Sequence, residues 1–305
     1  MSATKISWTD HTINPGVYGC SPAGAGCLNC YAAPMAARIA RMQGVRTYRC
    51  SEGGNGDPIG GHYGEVVTVD NRWTGSVVVD YDRIAPAFAT LPKRKPCRVF
   101  VTSMGDLFHE QVPPPFAAQV LHEMIIRPWQ IFQVLTKRPE RIQFARDSSA
   151  VQYGQTAWPK NIHLIASAST QPEVDAAVEH LLKVPAAVRG LSLEPLVEVV
   201  NLGGHVPPYR TWCEVHGHDR DDEGVCLQCG HESDRPYINW IIVGAESGPH
   251  RRPCREEWVR SIVEQCRDAG VPVFVKQLDI DGEVSRDPAE WPADLRVQEF
   301  PEVPR

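Results

Sequence analysis

Three cysteines stand close together near the start of the chain, in GCSPAGAGCLNCYA. They are Cys20, Cys27 and Cys30, spaced x6 then x2. Thiolates at this spacing, on a Gly-rich loop ahead of a helix-like run (AAPMAARIARM), suit an iron–sulfur cluster. Such clusters usually take four Cys ligands, so three would leave one iron open to a cofactor or substrate. Small residues between the cysteines let a loop wrap closely. The amides at a helix start favour anionic thiolates. A zinc site completed by a residue such as His11 is the alternative, and an incidental set of buried cysteines is the plain one.

A second cluster lies at Cys213-x2-His216 and Cys226-x2-Cys229, four ligands within 17 residues. Two knuckles of this kind form a tetrahedral zinc ribbon. Gly217, Gly224 and Gly230 suit the tight turns, and His218 and His231 are spare candidates for His216. The surrounding polar stretch, 203–236, has too little core to fold alone, so a closed four-ligand site would serve folding. A second iron–sulfur cluster is the alternative. The remaining cysteines, Cys50, Cys97, Cys254 and Cys266, read as buried and inert; a hydrogen-donating role for Cys254, after HRRP, is the sharper alternative.

The chain has 305 residues, of which 42% are hydrophobic and 22% charged, which excludes a disordered class. No apolar run reaches the roughly 18 residues of a membrane helix. The N-terminal MSATKISWTDHT lacks the apolar core of a secretory signal, so a cytoplasmic protein is expected. In that compartment six of ten cysteines gathered into two tight clusters point to metal rather than to disulfides. The net charge is −6, but residues 279–305 hold eight acids against three bases. The other 278 residues carry 28 bases and 29 acids, so any polyanion site must be a local patch.

The elements that would position these groups come from apolar runs. RVFVTS (98–103), IFQVLT (131–136), HLIAS (163–167), GLSL (190–193), NWIIV (239–243) and VPVFV (271–275) barely alternate, as strands buried on both faces do. A further strand is expected near Thr12–Tyr18. Helix-like stretches fall at 115–126, 171–182 and 256–269. Alternating strands and helices imply an α/β fold with a mainly parallel sheet. Six to seven such units predict a full or partial (β/α) barrel with a small zinc-ribbon insertion; an open doubly wound sheet is the runner-up. Residues 1–278 read as the barrel domain, with a loop or hairpin insertion at 50–80. The acidic tail 279–305 holds Trp291 and Phe300, which would pack partly against the body.

WTDHTINPGVYGC…GCLNCYA, VTSMGDLFHE, LTKRPER, LSLEPL, VGAESGPHRRPC and PVFVKQ follow one another in order. This series resembles a phage-associated family of unknown function with a three-cysteine motif, which looks like a divergent branch of the radical S-adenosylmethionine enzymes. The resemblance covers most of residues 5–278. It implies that Cys20, Cys27 and Cys30 bind a 4Fe–4S cluster whose open iron chelates S-adenosylmethionine. Reductive cleavage would then give a 5′-deoxyadenosyl radical that abstracts hydrogen from a substrate. It also implies a reductant such as flavodoxin or ferredoxin, a place in the host cytoplasm if the protein is phage-encoded, and room for a partner protein. The chain departs from the usual radical pattern in its spacing, x6 rather than x3 before the final x2. Leu28 also stands where an aromatic is usual.

In a βα barrel the site lies at the carboxyl ends of the strands. Those ends read Ser103 and Asp106; Lys137 and Arg138; Ser167 and Ser169; Glu194; Glu246 and Ser247; Lys276 and Gln277. Glu194 would accept from ribose hydroxyls or an amino group. Gly244–Gly248 would bring backbone close to the cofactor, with Ser103, Asp106, Ser167, Glu246 and Ser247 as further cofactor contacts. Lys137 and Lys276 would neutralise a carboxylate or phosphate. Against each stands an ordinary role: a lysine snorkels, and Ser or Glu caps the next helix. His109 could be an acid or base or a plain helix-side residue. Lys93, Arg94, Lys95, Arg98, Arg251 and Arg252 could contact phosphate if a nucleic-acid base is the substrate. The competing function is a non-enzymatic, zinc-stabilised nucleic-acid-binding protein with zinc in both clusters. A metal-dependent hydrolase is disfavoured, because no HxH or HExxH set appears.

Overall fold

A computed structural model of the chain describes residues 4–42, 63–68, 70–154, 158–206 and 237–302. In chain order the elements are β1 (His11–Ile13), β2 (Val17–Tyr18), α1 (Ala32–Met42), α2 (Tyr63–Val66), β3 (Val78–Val79), α3 (Ile84–Ala89), β4 (Arg98–Val101), α4 (Pro114–Ile125) and β5 (Ile131–Thr136). Then follow α5 (Ile142–Tyr153), β6 (Ile162–Ser167), α6 (Gln171–Leu181), β7 (Val188–Leu193), β8 (Trp240–Gly244), α7 (Glu256–Ala269), β9 (Val273–Ile280) and β10 (Glu283–Ser285).

The main sheet has eight strands in the order β1-β4-β5-β6-β7-β8-β9-β10. All pairs are parallel except β9 with β10. Strand order follows chain order and never reverses. There is no topological switch point, so the doubly wound alternative is excluded. The sheet curls into a half-barrel. A separate ribbon pairs β2 with β3.

The lack of alternation in the strands has a direct cause: both faces are covered. Val99, Val101, Phe132, Val134, Leu164, Leu191, Leu193, Ile241 and Val243 belong to the cluster shared with the helices. Phe100, Ile165, Val188, Trp240, Ile242 and Phe274 turn the other way and gather around Trp8. Trp8 lies 4.9 Å from the Phe100 ring and meets Trp240 edge-on at 6.4 Å. Phe300 enters the same floor, 5.3 Å from Phe274. Both ends of the described chain therefore plug the concave side.

The acidic stretch packs against the body. Val275 N–H donates to Val297 O at 2.9 Å and Glu299 N–H to Val273 O at 3.0 Å. Trp291 and Leu295 are buried. Helix ends follow ordinary chemistry: α5 and α7 stop at Gly154 and Gly270, both with positive φ.

Within the expected loop or hairpin insertion at 50–80, Val66 ends α2 and Val67 bridges Trp73 antiparallel, with Thr68 N–H donating to Arg72 O at 2.8 Å and Thr74 N–H to Val66 O at 3.0 Å. Cys213, His216, Cys226 and Cys229, like Cys50, lie outside the described residues. The flanks of that segment meet where Ile238 N–H donates to His205 O at 3.0 Å.

His163 on β6 faces the concave interior and is 2% exposed. Neither ring nitrogen has a hydrogen-bond partner. Its register neighbour Gln133 donates to Trp8 O at 3.2 Å. Burial pushes the imidazole down from 6.5 to about 4. The unfolded chain therefore takes up this proton first as pH falls. The stabilising effect of a neutral His163 is full above 6.5 and is lost as pH drops toward 4. The wild type should lose stability over that window faster than His163→Met, at up to about 1.4 kcal/mol per pH unit. Urea unfolding at both ends of the window reads the difference; equal losses would contradict the burial argument.

Candidate functional site

The carboxyl ends of the parallel strands open on one mouth. Continuing the inward phase of Leu135, Ile165 and Ser192 by one step brings Lys137, Ser167 and Glu194 to that end. Lys137 Nζ donates to Ser167 Oγ at 2.7 Å. Lys276 forms an ion pair with Glu194. The mouth is therefore polar, above an aromatic floor.

The cysteine loop lies over this layer because Gly26 has no side chain. A Cβ there would fall 2.4 Å from Ser169 Oγ, 3.1 Å from Lys137 Nζ and 3.2 Å from Pro195 Cδ. Glu173 in the first turn of α6 clamps the same stretch. It accepts Ala25 N–H at 2.5 Å and Ser169 N–H at 2.7 Å. Asn29 Nδ2 donates to Glu246 at 3.0 Å and to His250 O at 2.7 Å. Tyr31 donates its hydroxyl to Ser103 O at 2.8 Å.

The strongest clamp is at Ser21. Arg138, 6% exposed, donates to Ser21 O at 3.0 Å and to Ser21 Oγ at 2.8 Å. Its guanidinium also pairs with Asp106 at 3.4 Å and Glu110 at 2.6 Å, and one nitrogen lies 4.0 Å from Cys20 Sγ. Asp106 is saturated, accepting from Thr136 Oγ1, Lys137 N, Phe108 N and Arg138. His109 accepts Gln111 N–H at Nδ1, which leaves Nε2–H to donate to Ser21 Oγ at 2.8 Å. Burial, then the Arg138 charge, hold the His109 pKa below its usual value.

The three cysteines are free and partly exposed. Burial pushes the Cys20 thiol up to about 12; Asp106 adds to this, Arg138 opposes it, and Cys27 and Cys30 add further. The three sulfurs therefore sense one another. Ala23 N–H donates to Cys27 Sγ at 3.4 Å. Among the described residues no three His, Cys, Asp or Glu groups converge on a single-ion site. An amide donor at Cys27 Sγ and a fixed cation beside Cys20 Sγ both favour the anionic thiolates that a metal ion or cluster would need.

The expected site residues divide into two groups. Cys20, Cys27, Cys30, Lys137, Ser167, Glu194 and Lys276 come together at the mouth, with Ser103 bound through Tyr31. Asp106 and Glu246 are buried supports whose oxygens are already engaged; Glu246 takes Arg252 at 2.9 and 2.6 Å and its backbone N–H at 2.7 Å. Gly244 serves the β8–β9 contact, since a Cβ there would meet Gln277 at 3.3 Å. Ser247 is partly exposed, just beyond Glu246.

The expected phosphate contacts are largely engaged elsewhere. Arg98 pairs with Asp10 at 3.1 Å and lies 3.8 Å from the Phe300 ring centroid. Arg252 holds Glu246, and Arg251 holds Gly282 O and Glu283. Lys93, Arg94 and Lys95 are exposed before β4, at the end of the sheet opposite the mouth. Ser21, Asn29, Tyr31 and Glu173 were not among the expected site residues, and Arg138 was expected at a strand end but without a role. Asp106 and Glu110, four apart and followed by an arginine at the next strand end, carry the signal for Arg138.

Fold and site together define an α/β half-barrel protein with a three-cysteine loop seated on its polar mouth. The chain belongs to the family described as Protein of unknown function (DUF5131), whose model matches residues 3–293. No curated protein and no solved structure matches it.

The seat of the loop makes Gly26→Ala a sharp test. Overpacking there should cost about 1–3 kcal/mol in urea unfolding. Amide exchange across residues 20–31 should quicken. Unchanged values in both would mean that the loop does not sit on Ser169 and Lys137.

Proposed function

We propose that this chain is an iron–sulfur enzyme of the radical S-adenosylmethionine type. The observation that carries the reading is the seat of Cys20, Cys27 and Cys30 over the carboxyl end of a curled parallel sheet, where βα barrels place their active sites. These cysteines would hold a 4Fe–4S cluster. When bound, the cluster supplies a single electron and one open iron site for S-adenosylmethionine.

The chain's own residues then bind and shield. Glu194, held by Lys276, offers a carboxylate to hydroxyls or an amino group. Lys137, whose partner is the Ser167 hydroxyl, offers a cation to a carboxylate or phosphate. Trp8, Trp240, Phe274 and Phe300 close the floor and keep water from entering below. Cys213, His216, Cys226 and Cys229 would hold a structural Zn2+. A reductant such as flavodoxin or ferredoxin would supply the electron. The substrate is a molecule with a hydrogen open to abstraction. The engaged arginines give little support to a phosphate track toward the mouth.

Anaerobic purification and reconstitution test the reading. A brown protein with about four irons, losing them in Cys27→Ala, is expected. Under reductant it should cleave S-adenosylmethionine to 5′-deoxyadenosine and methionine. A colourless protein that binds only zinc after reconstitution would overturn the reading and favour the zinc-stabilised binding protein.

A further inference from the structure

We propose that Arg138 is a positioning residue that both shapes the cysteine loop and sets the reduction potential of the cluster it carries. The potential half rests on the iron–sulfur reading above; the shaping half does not. Two features single out this side chain. It is a buried cation, and its donors are divided between the fold and the loop.

On the fold side, Asp106 Oδ2 lies 3.4 Å from Nη1 and Glu110 Oε2 lies 2.6 Å from Nε. On the loop side, Nη2 reaches both Ser21 oxygens, and Nη1 stands 4.0 Å from Cys20 Sγ. The planar fork fixes these directions together, which a lysine ammonium would not do. Ser21 is held from a third side by His109. The residue bonded to Cys20 thus has its carbonyl and its hydroxyl both fixed by Arg138.

The charge has a second consequence. A cluster gains one negative charge on reduction. A permanent cation beside one of its sulfurs stabilises the reduced state more than the oxidised state, and hydrogen bonds toward sulfur act in the same direction. Asp106 and Glu110 oppose this effect. Glu110 is the more exposed of the two, with 52% of its side chain accessible against 6% for Asp106. Its removal is the gentler substitution.

Electrostatics therefore predicts opposite signs for two variants at one ion pair. In reconstituted protein, Arg138→Gln should lower the midpoint potential and Glu110→Gln should raise it. Arg138→Lys, which keeps the charge, should fall nearer the wild type than Arg138→Gln. A tenfold change in the reduced-to-oxidised ratio, about 59 mV for one electron, is the shift expected for Arg138→Gln. EPR-monitored redox titration reads all of these.

A merely structural role would move both glutamine variants the same way or neither, and that result would overturn the electrostatic half. Should Arg138→Gln fail to fold, Arg138→Lys decides the question: a potential near the wild type with quickened loop exchange supports the charge, and a potential that shifts with the loop overturns it. The shaping half is read on metal-free protein by amide exchange across residues 20–31. Exchange should quicken at least tenfold in Arg138→Gln and less in Glu110→Gln. Equal protection in wild type and Arg138→Gln would overturn it. Wild-type protein that takes up no iron would instead refute the proposed function, and the exchange experiment would still judge Arg138.

Discussion

The buried ion pair of Arg138 with Asp106 is the contact on which the mouth depends. Burying two charges gains little stability, because desolvation offsets most of their attraction. Removing one partner is another matter: it leaves an uncompensated charge and costs about 3–5 kcal/mol. The arrangement here reduces that exposure by giving every oxygen of Asp106 a donor, from Thr136, Lys137, Phe108 and Arg138. The pair thereby fixes the end of β5 to the segment after β4. From that fixed point the guanidinium reaches out to Ser21 and the cysteine loop.

The rest of the fold makes this point rigid. Seven parallel strands in chain order curl the sheet, and the helices cover its outer face. Inside, Trp8 from one end of the chain and Phe300 from the other fill the floor. The mouth is left as the polar end. The loop is seated there by four separate contacts, at Ser21, Ala25, Asn29 and Tyr31. None of these four uses a cysteine sulfur; the sulfurs make only longer contacts, Cys20 donating to Ser21 O at 3.5 Å and Cys27 accepting Ala23 N–H at 3.4 Å.

Much of this was legible in the residues. Unbroken apolar runs such as IFQVLT mark strands covered on both sides, and 131–136 matches β5 residue for residue. EEWVRSIVEQCRDA shows its helical stripe and forms α7 over the same residues. Helix α5 was not expected, because IQFARDSSAVQY buries only Ile142, Ala145 and Ser149 and has no apolar stripe. The strand ends place Lys137, Ser167, Glu194 and Lys276 at one mouth. At Asp106 and Glu246 the residue type alone did not show that each carboxylate is engaged by an arginine, thirty-two and six residues away. Arg138 was legible as a strand-end residue but its role was not: its partners, at 21, 106 and 110, lie on two other segments and meet only once the sheet has formed.

The most direct test of the account is anomalous diffraction at the iron edge from crystals of anaerobically reconstituted protein. The account predicts compact iron density bonded to Cys20, Cys27 and Cys30 at the mouth, with the Arg138 guanidinium beside Cys20. Iron bound elsewhere, or a single zinc shared by those three sulfurs, would contradict it.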